Sequence, residues 1–118
     1  MTELRLNAYH IMWLFVFFDL PVTTKKQMKA AAAFRKNLEK DGFSMMQFSV
    51  YIRHCASRES MTVHINRVKT LIPEHGKVSI LSVTDKQYSN IYNFWGKPPA
   101  KSKIQKKDIS EPVQLELF

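Results

Sequence analysis

The sequence of 118 residues has one cysteine, three glycines and no long uninterrupted apolar run. The single Cys55 excludes an internal disulfide and any zinc site built from cysteine pairs, and it fits a reducing, cytoplasmic setting. The longest apolar run, residues 11–18, is far shorter than the roughly 20 residues that a membrane-spanning helix needs, and Asp19 and Pro21 follow it at once. We therefore predict one globular domain with no membrane segment.

Acidic residues are also scarce. Eighteen Lys and Arg residues stand against ten Asp and Glu residues, so the formal net charge is +8. A basic surface binds polyanions because every neutralised phosphate releases a counterion. The charge therefore raises the expectation of a nucleic-acid partner, although composition alone leaves open an ordinary solvated basic surface.

The spacing of apolar residues predicts the element order βαββαβ. The expected elements are a strand over residues 11–19, a helix from Thr23 or Thr24 to Asp41, two strands within residues 43–54 with a turn near Met46 and Gln47, a helix from Ser57 to Pro73, and a strand over residues 78–83. This order is that of the ferredoxin-like α+β fold, in which both helices cover one face of an antiparallel sheet.

The chain continues beyond the last strand of the βαββαβ unit, which is predicted to end at residue 83. Thr84 to Gln87 has the spacing of a capping box, and Ile91 to Trp95 is predicted as a further strand. Five lysines and two prolines follow, and residues 113–118 alternate between apolar and polar side chains. We predict an N-terminal leader (1–10), a ferredoxin-like domain (11–95), and a basic linker with a C-terminal strand (96–118).

The first strand is apolar on both of its faces, whereas the helices can cover only one of them. Either a second copy of the chain or the C-terminal segment folding back must cover the other face. We predict a symmetric homodimer with its sheets packed face to face. The interface residues would be Trp13, Phe15 and Phe17.

Asp19 ends this strand in phase with the predicted interface residues, so two copies would approach each other across the two-fold axis. Paired carboxylates share a proton or bind a hard cation such as Mg²⁺. The alternative is that Asp19 only begins the turn before Pro21. The other acidic residues fall on predicted helix ends or loops, so metal-dependent hydrolysis would depend on one residue per chain. The four histidines lack ligand spacing and are expected at the surface or half-buried.

Four lysines of the first predicted helix lie within an arc of about 60°, opposite an apolar stripe of Met28, Ala31, Phe34 and Leu38. Such a row would contact phosphates without reading bases, and a solvated helix face is the alternative. The candidate nucleic-acid-binding residues are Lys25, Lys29, Lys36 and Lys40 of the helix and Lys97, Lys101 and Lys103 of the linker.

Three features together resemble the CRISPR-associated Cas family two. They are Phe17-Phe18-Asp19-Leu20-Pro21 after the hydrophobic strand, the basic helix, and Gly42-Phe43 followed by Gln47-Phe48-Ser49-Val50-Tyr51. The resemblance covers about residues 11–95 and is greatest to the variant found beside the single large effector nuclease (Cas nine). It implies a homodimer that holds captured double-stranded DNA between two dimers of the Cas-one integrase during spacer acquisition, an antiviral defence. The effector nuclease is a further partner of that variant.

The same resemblance implies a second function. Some relatives are described as magnesium-dependent endonucleases of RNA or DNA, with the strand-end aspartate as metal ligand, which is Asp19 here. Many relatives have tyrosine just before that aspartate, whereas this chain has Phe18 and so lacks the hydroxyl. A third hypothesis, an RNA-binding or toxin-type module, would need exposed stacking aromatics on the sheet.

Overall fold

The computed structural model describes residues 11–97, and its elements follow the predicted order. They are β1 (Met12–Asp19), α1 (Lys25–Lys40), β2 (Ser44–Gln47), β3 (Val50–Cys55), α2 (Arg58–Leu71), β4 (Lys77–Thr84) and the single turn α3 (Asp85–Tyr88). The predicted leader and the predicted C-terminal strand lie outside the described residues.

The four strands form one antiparallel sheet in the order β2-β3-β1-β4, which confirms the ferredoxin-like α+β fold. The even-numbered residues of β1 face the helices and are buried. They join a core that also includes Phe34 and Leu38 of α1, Tyr51 of β3 and Val68 of α2. Within residues 11–97, both long helices therefore pack on the same face of the sheet, as the sequence predicted.

Local capping signals set the ends of the helices. Thr24 caps α1 in a capping box with Gln27, and Ser57 caps α2 through the N–H of Ser60. Gly42 follows α1 with φ at 93°, a left-handed conformation that glycine adopts without steric cost. The predicted helix starts are therefore confirmed.

Three local predictions are wrong. The β2–β3 turn lies at Phe48 and Ser49 rather than near Met46, because a register shift after Met45 lengthens β2. Met28 is 47% exposed and does not belong to the apolar stripe of α1. Residues 91–95 form no strand in the structure, since the N–H of Ile91 bonds back to the Tyr88 carbonyl and continues the turn of α3.

Within residues 11–97, no helix has both the length and the apolar character that a membrane span requires.

Candidate metal and nucleic-acid site

Asp19 is the last residue of β1, and its side chain is exposed. The chain leaves the sheet soon afterwards because Pro21 has no N–H for a ladder hydrogen bond. By strand alternation Asp19 projects from the face that the long helices do not cover, as does Phe17. On that face it lines an open cavity of about 310 Å³ that also has Ser49, Lys77 and Ser79 in its wall.

Two loops hold the backbone around Asp19 in place. Ser49 has a left-handed φ of 68°, and its carbonyl accepts a 3.1 Å hydrogen bond from the N–H of Phe18. Gly76 passes on the other side with φ at 108°, so close that a Cβ there would lie 2.9 Å from the Asp19 carbonyl oxygen. These contacts fix the backbone from which the Asp19 side chain projects.

The cavity has one carboxylate, and no group of three or more His, Cys, Asp or Glu side chains within residues 11–97 is arranged to hold a metal ion. Magnesium is commonly held by one or two carboxylates together with water molecules and substrate phosphates. The single carboxylate therefore fits a Mg²⁺ whose remaining ligands are water and a substrate phosphate, and it does not fit a two-metal centre.

The predicted lysine row of α1 is exposed along its whole length. Lys25, Lys29, Lys36 and Lys40 are all exposed, whereas the buried residues Ala31, Phe34 and Leu38 lie on the opposite side of the helix. Lys97 is also exposed, and Lys101 and Lys103 lie outside the described residues. The structure thus makes the row available to a ligand, and its binding to nucleic acid stays a prediction.

The two ends of the uncovered sheet face differ in exposure. At one end, Tyr88 of α3 stacks on Trp13 with ring centroids 4.0 Å apart, and Trp13 Nε1 donates a 2.7 Å hydrogen bond to Asp85. Phe15 lies beside Tyr88 and is buried, whereas Phe17 at the other end is 38% exposed. The chain's own segment after β4 therefore covers Trp13, as the folding-back alternative required, and leaves Phe17 open.

Beside Phe17 lies a second, mostly apolar cavity of about 460 Å³, between the sheet and residues 87–91. Leu81 and Val50 from the two strands that flank β1 contribute to its wall, and Leu81 is 49% exposed. On this face of the sheet, the described chain therefore leaves the Phe17 end open and apolar.

A buried ionic cluster was missed by the sequence analysis. His64, expected at the surface or half-buried, is 7% exposed, and its Nδ1 lies 2.8 Å from Oδ2 of Asp41 at the end of α1. Arg67 donates a 2.8 Å hydrogen bond to Oδ1 of the same carboxylate, and Arg53 donates one to the Asp41 carbonyl. Burial alone would raise the pKa of Asp41, but the hydrogen bonds from His64 and Arg67 lower it overall.

This cluster joins the end of α1 to α2 and β3, on the side of the sheet opposite to Asp19, so we assign it to the stability of the fold. A signal was present in the sequence, because His64 lies one helical turn before Val68 and therefore on the same side of α2, and both residues are buried. A histidine at such a position needs a hydrogen-bonding partner when it is buried.

Comparison with known proteins gives one family. Residues 12–91 match the family model described as CRISPR associated protein Cas2. The chain is 50% identical over 115 residues to the CRISPR-associated endoribonuclease Cas2 of Flavobacterium psychrophilum, and the match covers 97% of this chain and 94% of that protein. It is 45% identical over 107 residues to the protein of the same name from Parvibaculum lavamentivorans, covering 91% of this chain and 100% of that one. A solved structure described as a crystal structure of cas2 has a TM-score of 0.51 at 21% identity and covers 75% of this chain and 93% of that one, which supports the fold.

Proposed function

The chain belongs to the CRISPR-associated Cas2 family, and we propose that it holds duplex DNA in the spacer-integration complex, as a homodimer between two dimers of the Cas-one integrase. The observation that carries this proposal is the exposed lysine row of α1. Membership of the family supports a role in CRISPR adaptation, and the choice of a DNA-holding role within it is our inference. Association with the large effector nuclease stays a prediction.

The lysine row has dimensions that suit a duplex. Lys25 and Lys40 mark its ends, and at 1.5 Å of rise per residue the row spans about 22 Å, roughly two-thirds of a turn of B-DNA. In a two-fold dimer the row occurs twice, so the pair would contact more than one turn. Lysine ammonium groups on a helix surface bind phosphates as point charges, which supports binding independent of base sequence.

The open end of the sheet face supports the homodimer. Phe17 and Leu81 are large apolar residues that remain partly exposed there. Burial of apolar surface is favourable by about 25 cal/mol per Å², so a second copy packed on this end would be stabilised. Because the chain's own Tyr88 covers Trp13, we place the dimer contact mainly at the Phe17 end rather than over the whole predicted face.

Duplex binding at several salt concentrations tests the DNA-holding role. The double variant Lys29→Glu with Lys36→Glu should lower the slope of log affinity against log salt by about 0.9 for every phosphate that the protein no longer neutralises. Binding should weaken equally for unrelated sequences. The matched control is Lys69→Glu with Lys86→Glu, which changes net charge equally at exposed positions outside the row. Equal slopes for the two double variants would contradict the proposal.

A second candidate function is a magnesium-dependent endonuclease, and two observations favour it. Asp19 lies exposed in a cavity at the strand end, and the relatives from F. psychrophilum and P. lavamentivorans are named endoribonucleases. Bound Mg²⁺ would stabilise the charge that develops on a phosphate during cleavage. Asp19 would hold the ion, and Phe18 offers no hydroxyl for proton transfer. Loss of metal-dependent cleavage in Asp19→Asn, with folding unchanged, is the expected result for this candidate.

A further inference from the structure

Lys77 stands directly opposite Asp19 in the pairing of β4 with β1. Side chains directly opposite each other in an antiparallel pair project to the same face, with Cβ atoms about 4.5–5.5 Å apart. Lys77 and Asp19 accordingly line the same cavity. Both residues are exposed, so a ligand can reach the ammonium and the carboxylate together.

The ammonium group of the exposed Lys77 is accessible to a ligand. In the part of the chain that the structure describes, no carboxylate lies within 4.0 Å of it. A lysine ammonium has three N–H donors and no acceptor. Even if it approached Asp19, it would retain donors for an anion bound beside the carboxylate.

The rest of the cavity wall favours an anionic ligand with an apolar part. Ser79 lies two residues beyond Lys77 on the same face of β4, and Ser49 approaches from the hairpin. Their hydroxyls can donate hydrogen bonds to an oxyanion, while Phe17 and Val50 supply apolar surface. A bare divalent cation would be repelled by Lys77, whereas a phosphate would be attracted to it and could share a cation with Asp19.

We propose that Lys77 is a phosphate-binding residue of the Asp19 cavity, and that the cavity takes a phosphodiester of a nucleic-acid strand. This inference rests on the nucleic-acid function proposed above and adds a residue that presents one phosphate of the strand to Asp19. Lysine contacts the phosphate and not the base, so the chemistry is shared by RNA and DNA strands.

Binding of labelled six-nucleotide single strands of RNA and of DNA, measured by fluorescence anisotropy without divalent metal, tests the assignment. Lys77→Gln should weaken binding of at least one strand about tenfold, since it removes a charge-assisted hydrogen bond. It should also lower the salt slope by about 0.7. Lys86→Gln is the matched control, because Lys86 is exposed, beyond the far end of β4. That control should change affinity less than twofold, and Lys77→Arg should retain most of the binding.

The two probes identify the kind of strand that the cavity binds. A tenfold loss of affinity for RNA alone assigns the cavity to RNA strands, and a tenfold loss for DNA alone assigns it to DNA strands. A tenfold loss for both shows that the cavity accepts either strand. Equal losses in Lys77→Gln and Lys86→Gln would overturn the assignment, because only general charge would then matter. It is equally overturned if Lys77→Gln leaves strand binding intact and weakens association with the integrase, which would make Lys77 a protein contact.

Cleavage of the same strands with Mg²⁺ separates this inference from the nuclease candidate. If the wild type cleaves neither strand while binding still depends on Lys77, the nuclease candidate fails and the assignment of Lys77 stands. If the wild type cleaves and Lys77→Gln binds as Lys86→Gln does, the assignment of Lys77 fails alone. Duplex binding by the lysine row of α1 is measured separately, with the variants described above.

Discussion

Replacing Asp41 by alanine removes the acceptor at the centre of the buried ionic cluster. His64 would lose its 2.8 Å partner while remaining buried, and Arg67 would lose an equally short hydrogen bond. The side chain of Arg67 is 60% exposed, so its contact with Asp41 is largely screened by water and contributes little. Most of the effect therefore comes from the hydrogen bond to His64 and the donor left without a partner.

A hydrogen bond to a charged group contributes about 1.5–3 kcal/mol, and a buried donor without a partner costs about 1–3 kcal/mol. Because these contributions overlap, we expect Asp41→Ala to lower the free energy of unfolding by about 3 kcal/mol at pH 7, and Arg67→Ala by less than about 1 kcal/mol. Urea unfolding followed by circular dichroism at one fixed protein concentration measures both values. Equal losses in the two variants would refute this account of the cluster.

The lowered pKa of Asp41 predicts how its contribution to stability changes with pH. The pKa of Asp41 is lower in the folded protein than its ordinary value, so its contribution is fully present above about pH 4 and is lost as the pH falls through the folded value. The difference in stability between the wild type and Asp41→Ala should therefore be large at pH 7 and shrink below pH 4. A difference that stays constant over this range would show that the carboxylate charge is not the cause.

Three further predictions concern the sheet face at Phe17, the end of β1 and the end of α1. If the proposed homodimer forms through the Phe17 end, Phe17→Glu should sediment as a folded monomer at micromolar concentration, whereas Lys69→Glu should remain a dimer. A dimer in both variants would place the contact elsewhere. Asp19→Asn should abolish metal-dependent strand cleavage and leave duplex affinity within about twofold, and a large loss of duplex affinity would make Asp19 a DNA contact instead. Gly42→Ala should lower the free energy of unfolding by at least about 1 kcal/mol, because residue 42 has a positive φ and the new Cβ would meet the Arg53 guanidinium. An unchanged urea midpoint would contradict this prediction.

The parts of the fold that depend on local sequence were predicted well. Thr24, Ser57 and Gly42 act within a few residues of the helix ends they define, so their effect can be recognised without knowing what packs nearby. The apolar character of both faces of β1 indicated that the two helices would cover only one of its faces, and in the structure its even-numbered residues alone pack in the core with the helices. The β2–β3 turn was misplaced because the shift after Met45 adds a residue that the alternating pattern does not reveal.

Contacts between distant segments could not be predicted in the same way. Asp41 and His64 are 23 residues apart and meet only because α1 and α2 pack side by side. The position of Lys77 opposite Asp19 depends on the register between β1 and β4, and a slip of one residue would place it on the other face. The covering of Trp13 by Tyr88 depends on the path of the chain after β4. Asp19 could be proposed as a candidate from the sequence because its position at the end of a buried strand is visible there.

Spacer integration by the protein assembled with its integrase partner tests the central claim most directly. On the proposed function, the partner performs strand transfer in such an assay, and this chain would contribute by holding the DNA. We predict that Lys29→Glu with Lys36→Glu abolishes integration, while Asp19→Asn supports it at the wild-type level and both variants still assemble with the integrase. Loss of integration in Asp19→Asn, together with normal integration by the lysine variant, would contradict the account.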